Sequence, residues 1–142
     1  MKLIKSSYLI YAILASAFIG FLDSAYLTIL HYQHVIPPCT VTNGCETVLT
    51  SSYSQIFGIP IALLGAGFYI SIIVLSLLLL TSPSKLYKNL LVVNTVVGFV
   101  ISLILLYIQF GIIGTYCQYC LLSEAINFSI LGTVFLLWRK KE

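Results

Sequence analysis

The sequence predicts an all-α integral membrane protein: a bundle of four transmembrane helices with an extracytoplasmic loop that carries a short interfacial helix. Two observations carry this expectation. Of 142 residues, 60% are hydrophobic and only 8% charged, where soluble domains average about 25% charged. Four apolar runs, at about residues 8–30, 59–80, 90–112 and 117–138, each reach the roughly 20 residues that a helix needs to cross a hydrocarbon core. None alternates in polarity as a barrel strand does, and backbone in lipid must satisfy its own hydrogen bonds. Residues 1–142 are therefore read as a single membrane domain.

The first run contains one acid, Asp23, for which a packing hydrogen bond is the expected role. Its start, with Lys2 and Lys5 ahead of Ala15-Ser16-Ala17, has the look of a cleavable signal peptide. Hydrophobicity continues well past that point, and cleavage would leave three spans with cationic clusters on opposite sides, so the segment is read as a retained span. Pro37-Pro38 then stops any continuation of the helix, and the Asn43-Gly44 turn brings Cys45 back towards Cys39. Residues 50–57 pass from polar to apolar, which predicts the short interfacial helix before Gly58-Ile59-Pro60 opens the second span. That span has no charge; the third has Asn94 and Gln109 as its strongly polar residues, and the fourth has a single acid, Glu124.

The charges fix an expected orientation. All seven cations fall in three clusters, Lys2 and Lys5, Lys85 and Lys88, and Arg139 with Lys140 and Lys141. Four spans place these on one side, which the excess of Lys and Arg in short cytoplasmic loops identifies as the cytoplasm. Both termini are then cytoplasmic in a plasma or inner membrane, and no basic surface remains outside to suggest a nucleic-acid partner. All four cysteines, Cys39, Cys45, Cys117 and Cys120, fall on the outer side, where disulfides persist.

Cys117-Gln118-Tyr119-Cys120 heads the fourth span, and a Cys-x-x-Cys pair at a helix N-terminus favours the thiolate that drives disulfide exchange. Two cysteine pairs allow three connectivities. A zinc site is disfavoured because one pair has the wider spacing and the other caps a membrane helix, so no metal is expected. His31 and His34, although spaced i, i+3, read better as interfacial anchors, and Ser51 and Ser52 as caps of the short helix. Cys117, Cys120, Glu124 and Asn127 fall at i, i+3, i+7 and i+10 and share one inward face. An acid inside a span is costly enough to mark function, and Glu124 could move protons. A reading from another class is a small four-span transporter in which Glu124 binds a proton or cation and the cysteines are incidental.

With Gly20, Ser24 and Tyr26 in the first span, the pair Cys39 and Cys45, Ser51 six residues on, Phe57-Gly58, and Cys117-x-x-Cys120 followed by Ala125-Ile126-Asn127, the chain resembles the vitamin K epoxide reductase family along almost its whole length. The order of the pairs separates it from the DsbB type, which has Cys-x-x-Cys in its first outer loop. The resemblance implies a quinone-dependent thiol oxidoreductase that supports disulfide formation in exported proteins. In it, Cys39 and Cys45 form a relay pair facing a thioredoxin-like or DsbA-like partner, and Cys117 and Cys120 are the active-site pair. Ser51 and Phe57 would line the quinone pocket. Ser54 and Glu124 stand where vertebrate members carry the Asn and Tyr that bind the vitamin K head group; the implied acceptor is thus ubiquinone or menaquinone rather than an epoxide. Many prokaryotic members carry a fused thioredoxin-like domain, whereas this chain ends four residues after Trp138, so the partner is expected to be a separate protein.

Overall fold

The computed structural model describes the backbone of residues 2–140 and the side chains of residues 6–140. The Lys2 and Lys5 side chains and Lys141, which belong to the cationic clusters, lie outside the described residues. Helix α1 (Lys2–Gln33) leads into the long loop. Helix α3 (Ile61–Thr81) and helix α4 (Lys85–Tyr107) form a hairpin, α4 continues as a π-helix (Ile108–Ile113), and α5 (Gln118–Arg139) completes the bundle. Within these, Ser6–Gln33, Ile61–Thr81, Lys85–Ile113 and Gln118–Arg139 are each long and apolar enough to cross a membrane.

The four long helices close a ring in which α1 packs on α3 and α5, and α4 packs on the other sides of the same two. Ile10, Ile13 and Ala17 of α1, Tyr69 and Ile72 of α3, Leu91 of α4 and Ile130 and Val134 of α5 form the common core. A Cβ at Gly20 would collide with the Tyr69 ring, so glycine there lets α1 and α3 approach closely. The outer surface is apolar, with Phe18, Ile19, Leu22, Val93, Val100 and Phe135 exposed, as lipid as solvent requires.

Helix α1 ends one turn before the prolines. His34 takes a left-handed conformation (φ 56°), and the Val35 N–H donates to the Leu30 carbonyl at 3.0 Å, closing a helix-terminating turn. Ser84 caps α4 by accepting the Tyr87 N–H at 3.3 Å.

The loop differs from its expected form. Its short helix, α2, spans Cys45–Leu49, not 50–57. Residues 50–57 hold only a 3-10 turn (Ser52–Ser54) and strand β1 (Gln55–Ile56), which pairs antiparallel with β2 (Ile59–Pro60). Phe57 (φ 52°) and Gly58 (φ 80°) form the two-residue turn, whose paired positive φ values match the twist of a hairpin. The cause is local: the hydroxyls of Thr50, Ser51 and Ser54 bond to nearby backbone carbonyls, which competes with propagating a helix. Ser51 Oγ donates to the Val48 carbonyl and Ser54 Oγ to the Ser51 carbonyl, both at 2.7 Å. Ser51 precedes the 3-10 turn but makes no side-chain cap bond there.

Candidate redox site at the mouth of the bundle

Cys39 and Cys45 are joined by a disulfide, with their Cα atoms 5.9 Å apart. Cys39 is half-buried, its sulfur 3.1 Å from Thr42 Oγ1, whereas Cys45, at the start of α2, is fully buried. Gly44 sets that position. A Cβ on it would run into the Thr115 hydroxyl and the Tyr116 backbone, so the start of α2 lies directly on the turn that precedes Cys117. As a result Cys45, Val48 and Cys117 form one small buried cluster, flanked by Cys39, Leu49, Ile113, Tyr119 and Cys120.

Cys117 occupies the N-cap position of α5 and, like Cys120, is a free thiol. Its backbone N–H donates to Gln109 Oε1 at 3.1 Å. Gln109 can reach it because the π-helix at Ile108–Ile113, closed by Gly114 (φ 79°) with its N–H on the Gln109 carbonyl at 2.9 Å, turns that side chain inward. A hydrogen bond from the Cys120 thiol, supported by the backbone N–H groups of Cys120 and Tyr119, brings the Cys117 thiol down to about 7 against the opposing effect of burial. Cys117 is therefore the sulfur of the pair suited to act as thiolate.

The residues inside the Cys-x-x-Cys reach back to the loop. Gln118 Oε1 accepts the Val41 N–H at 2.7 Å, and Tyr119 OH donates to the Pro38 carbonyl at 2.7 Å. The Tyr119 ring lies 5.8 Å from that of Tyr26.

Beneath this cluster lies a cavity of about 970 Å³ walled by α1, α3, α4, α5 and the loop. Its wall includes Cys120 but not Cys117; Cys39 is half-buried in the loop, and Cys45 and Cys117 are both fully buried. Much of the lining is apolar, including Leu27, Leu64, Phe68, Val97, Ile101 and Ile104. Polar groups gather in one part. Asn127 Nδ2 donates to Ser102 Oγ at 2.7 Å, and Ser102 also interacts with Glu124. Tyr69 OH contacts the Ser123 carbonyl at 3.0 Å and its hydroxyl at 2.8 Å. Asp23 Oδ2, Glu124 Oε2 and Asn127 Oδ1 are buried in this wall without hydrogen-bond partners. The packing bond expected of Asp23 is thus not made by that oxygen, and Asp23 lines the cavity instead.

Of the expected pocket residues, Ser51, Ser54, Glu124 and Asn127 line the cavity. Phe57 does not. The hairpin turn points it away from the bundle, and it is 100% exposed. His31 and His34 line the cavity near the end of α1, and among the described residues no three His, Cys, Asp or Glu side chains gather as a metal site. Sequence reading missed Gln109, Ser102, Tyr69 and Ser123. For Gln109 and Ser102 the available signal was a polar side chain within an apolar span.

An amphipathic quinone fits this chamber. The apolar wall suits an isoprenoid-bearing ring; the three unpartnered oxygens, Asp23 Oδ2, Glu124 Oε2 and Asn127 Oδ1, suit the hydroxyl groups of a quinol as acceptors, and the two carboxyls can donate to a quinone carbonyl when protonated.

Residues 11–135 match the family model described as the vitamin K epoxide reductase family. No curated protein matches the chain.

Proposed function

Since the chain belongs to the vitamin K epoxide reductase family, and is thereby a multi-pass membrane oxidoreductase of the disulfide-forming kind, we propose that it reoxidises a separate thioredoxin-like or DsbA-like protein outside the cytoplasm and delivers the electrons to a membrane quinone. The observation that carries this reading is the burial of Cys45 with Cys117 in one cluster, directly above a cavity that Cys120 lines.

Exchange proceeds by successive thiolate displacements at sulfur. A partner thiolate attacks Cys39 Sγ, forming a mixed disulfide and releasing Cys45 as thiolate; the partner's second thiolate then attacks the partner's first sulfur in that mixed disulfide and Cys39 leaves as thiolate, so the partner is oxidised and the outer pair reduced. Cys45 thiolate next attacks Cys117 Sγ of an oxidised Cys117–Cys120 pair, and Cys120 leaves as thiolate. Cys39 attacks Cys45 Sγ, restoring the outer disulfide and releasing Cys117. Two electrons have moved inward with no other reactant. The hydrogen bond that stabilises Cys117 thiolate makes it a good leaving group in this last displacement.

A quinone, when bound, accepts two electrons and two protons as the inner pair returns to the disulfide. Ser54, Glu124 and Asn127 would contact its polar ring, with Ser51 at the loop side of the cavity. Glu124 is placed to hold or release a proton at its unpartnered Oε2. The orientation with both termini cytoplasmic and the cysteines outside belongs to the same proposal.

Replacing Cys120 with Ser tests it. Quinone-dependent oxidation of a thioredoxin-like partner should be lost, and quinone should be recovered by solvent extraction of the purified wild-type protein. Unchanged oxidation in the variant would favour a transporter with incidental cysteines.

A further inference from the structure

Disulfide exchange requires the attacking sulfur, the attacked sulfur and the leaving sulfur to line up, so a loop cysteine must be held against its target. Burial and the tight seat of Gly44 hold Cys45. The segment bearing Cys39 has no regular secondary structure, and its backbone is tied to the bundle by two side-chain bonds. One is the Val41 N–H to Gln118 Oε1 and the other is Tyr119 OH to the Pro38 carbonyl, each 2.7 Å. These two bonds bracket Cys39, one on each side. Their side chains are the two residues enclosed by Cys117 and Cys120.

We propose that Gln118 and Tyr119 are positioning residues that dock the Cys39 loop onto the active-site pair, setting the rate of sulfur exchange between the pairs. The inference rests on the relay reading above and adds an assignment within it: the residues inside the Cys-x-x-Cys act on the outer pair. Three features set this apart from ordinary surface bonding. The bonds span 77 and 81 residues of sequence. Both end on backbone atoms, so they constrain the path of the chain whatever its side chains. Tyr119 is itself steadied by the Tyr26 ring of α1, and it flanks the buried Cys45–Cys117 cluster. Releasing them would loosen the loop that runs from Pro38 into Gly44 and Cys45, lowering the fraction of time in which the Cys45 and Cys117 sulfurs are aligned.

The test isolates the exchange step from quinone and partner. In a Cys39→Ala, Cys120→Ala background of the full chain in lipid nanodiscs, only Cys45 and Cys117 remain. Diamide then joins them, taking up the two electrons and two protons released, and the cross-link is followed by gel shift after quenching. Adding Gln118→Ala with Tyr119→Phe should slow cross-linking about tenfold, while alkylation of Cys117 by a small maleimide proceeds at its former rate. Tyr119→Phe alone keeps the ring against Tyr26 and guards against a folding defect; it should give an intermediate rate. Equal cross-linking rates with and without the two substitutions overturn the positioning role. Parallel loss of cross-linking and of Cys117 alkylation also overturns it, because the effect then lies on the thiol itself. Absence of any Cys45–Cys117 cross-link in the background protein would instead overturn the relay reading on which the proposal stands.

Discussion

Gln109 Oε1 accepts the backbone N–H of Cys117 at 3.1 Å, tying the π-helical end of α4 to the first residue of the Cys-x-x-Cys. This N–H belongs to the buried start of α5, where four backbone donors lack partners within the helix. Gln109→Leu keeps the volume but removes the acceptor. Leaving a buried N–H unsatisfied costs about 1–3 kcal/mol. The variant should show a lowered unfolding temperature in detergent; an unchanged temperature would mean that water supplies the lost bond.

Cys117 should be half-ionised near pH 7. Its thiol is shifted down, so the thiolate is the main form above that pH and is lost below it. At pH 7 an ordinary thiol with a pKa near 8.5 would be only about 3% ionised. The leading cause is the hydrogen bond from Cys120. Cys120→Ala should therefore move the midpoint of Cys117 alkylation upward, by a unit or so if that bond dominates as stated (roughly tenfold slower labelling at neutral pH). Rates of iodoacetamide labelling between pH 5 and 9 measure it, and a midpoint that stays near 7 would assign the shift to the helix N-terminus instead.

Glu124 presents an unpartnered oxygen to the cavity that Cys120 also lines. If it moves a proton during quinone reduction, Glu124→Gln should slow the reaction on the order of 10²-fold and change the dependence of its rate on pH. Asn127 and Ser102, which hold the same polar node, keep the glutamine in place and make the substitution conservative in shape. The measurement is the pH profile of dithiol-driven quinone reduction, and a profile identical to wild type would remove Glu124 from proton transfer.

The parts legible in the sequence are those that the solvent imposes. Lipid requires long apolar runs, and four of them are found as helices close to the expected bounds. Within α5, Cys120, Glu124 and Asn127 share the face that lines the cavity, as helical periodicity predicts, whereas Cys117 is the N-cap residue and is not in that wall. Periodicity stops being informative where the helix changes its winding: Gln109 faces Cys117 because residues 108–113 form a π-helix, and an apolar run shows no sign of that extra residue per turn. Phe57, which the resemblance places in the pocket, points away from the bundle for a related reason: its orientation is set by a two-residue turn whose φ values are both positive, an unfavourable conformation for a phenylalanine. Asp23 Oδ2 lies in the cavity wall without a hydrogen-bond partner, a position that a lone acid in an apolar run does not disclose.

Gly44 gives the sharpest test of how the two pairs are brought together. Its backbone angles, φ −99° and ψ 0°, are accessible to any residue, so an alanine there meets no conformational barrier. What it meets is the Thr115 hydroxyl and the Tyr116 backbone, which a Cβ would overlap. Relief requires α2 to lift from the turn before Cys117, at a cost of about 1–3 kcal/mol for overpacking a close contact. Cys45 moves with α2, whereas the Cys39–Cys45 bond is internal to the loop and can travel with it. Gly44→Ala should thus retain the outer disulfide, seen as protection of both cysteines from maleimide in the unreduced protein, yet slow oxidation of the thioredoxin-like partner about tenfold or more. Partner oxidation at the wild-type rate, with the disulfide intact, would show that the close seat of Gly44 has no part in transfer between the pairs.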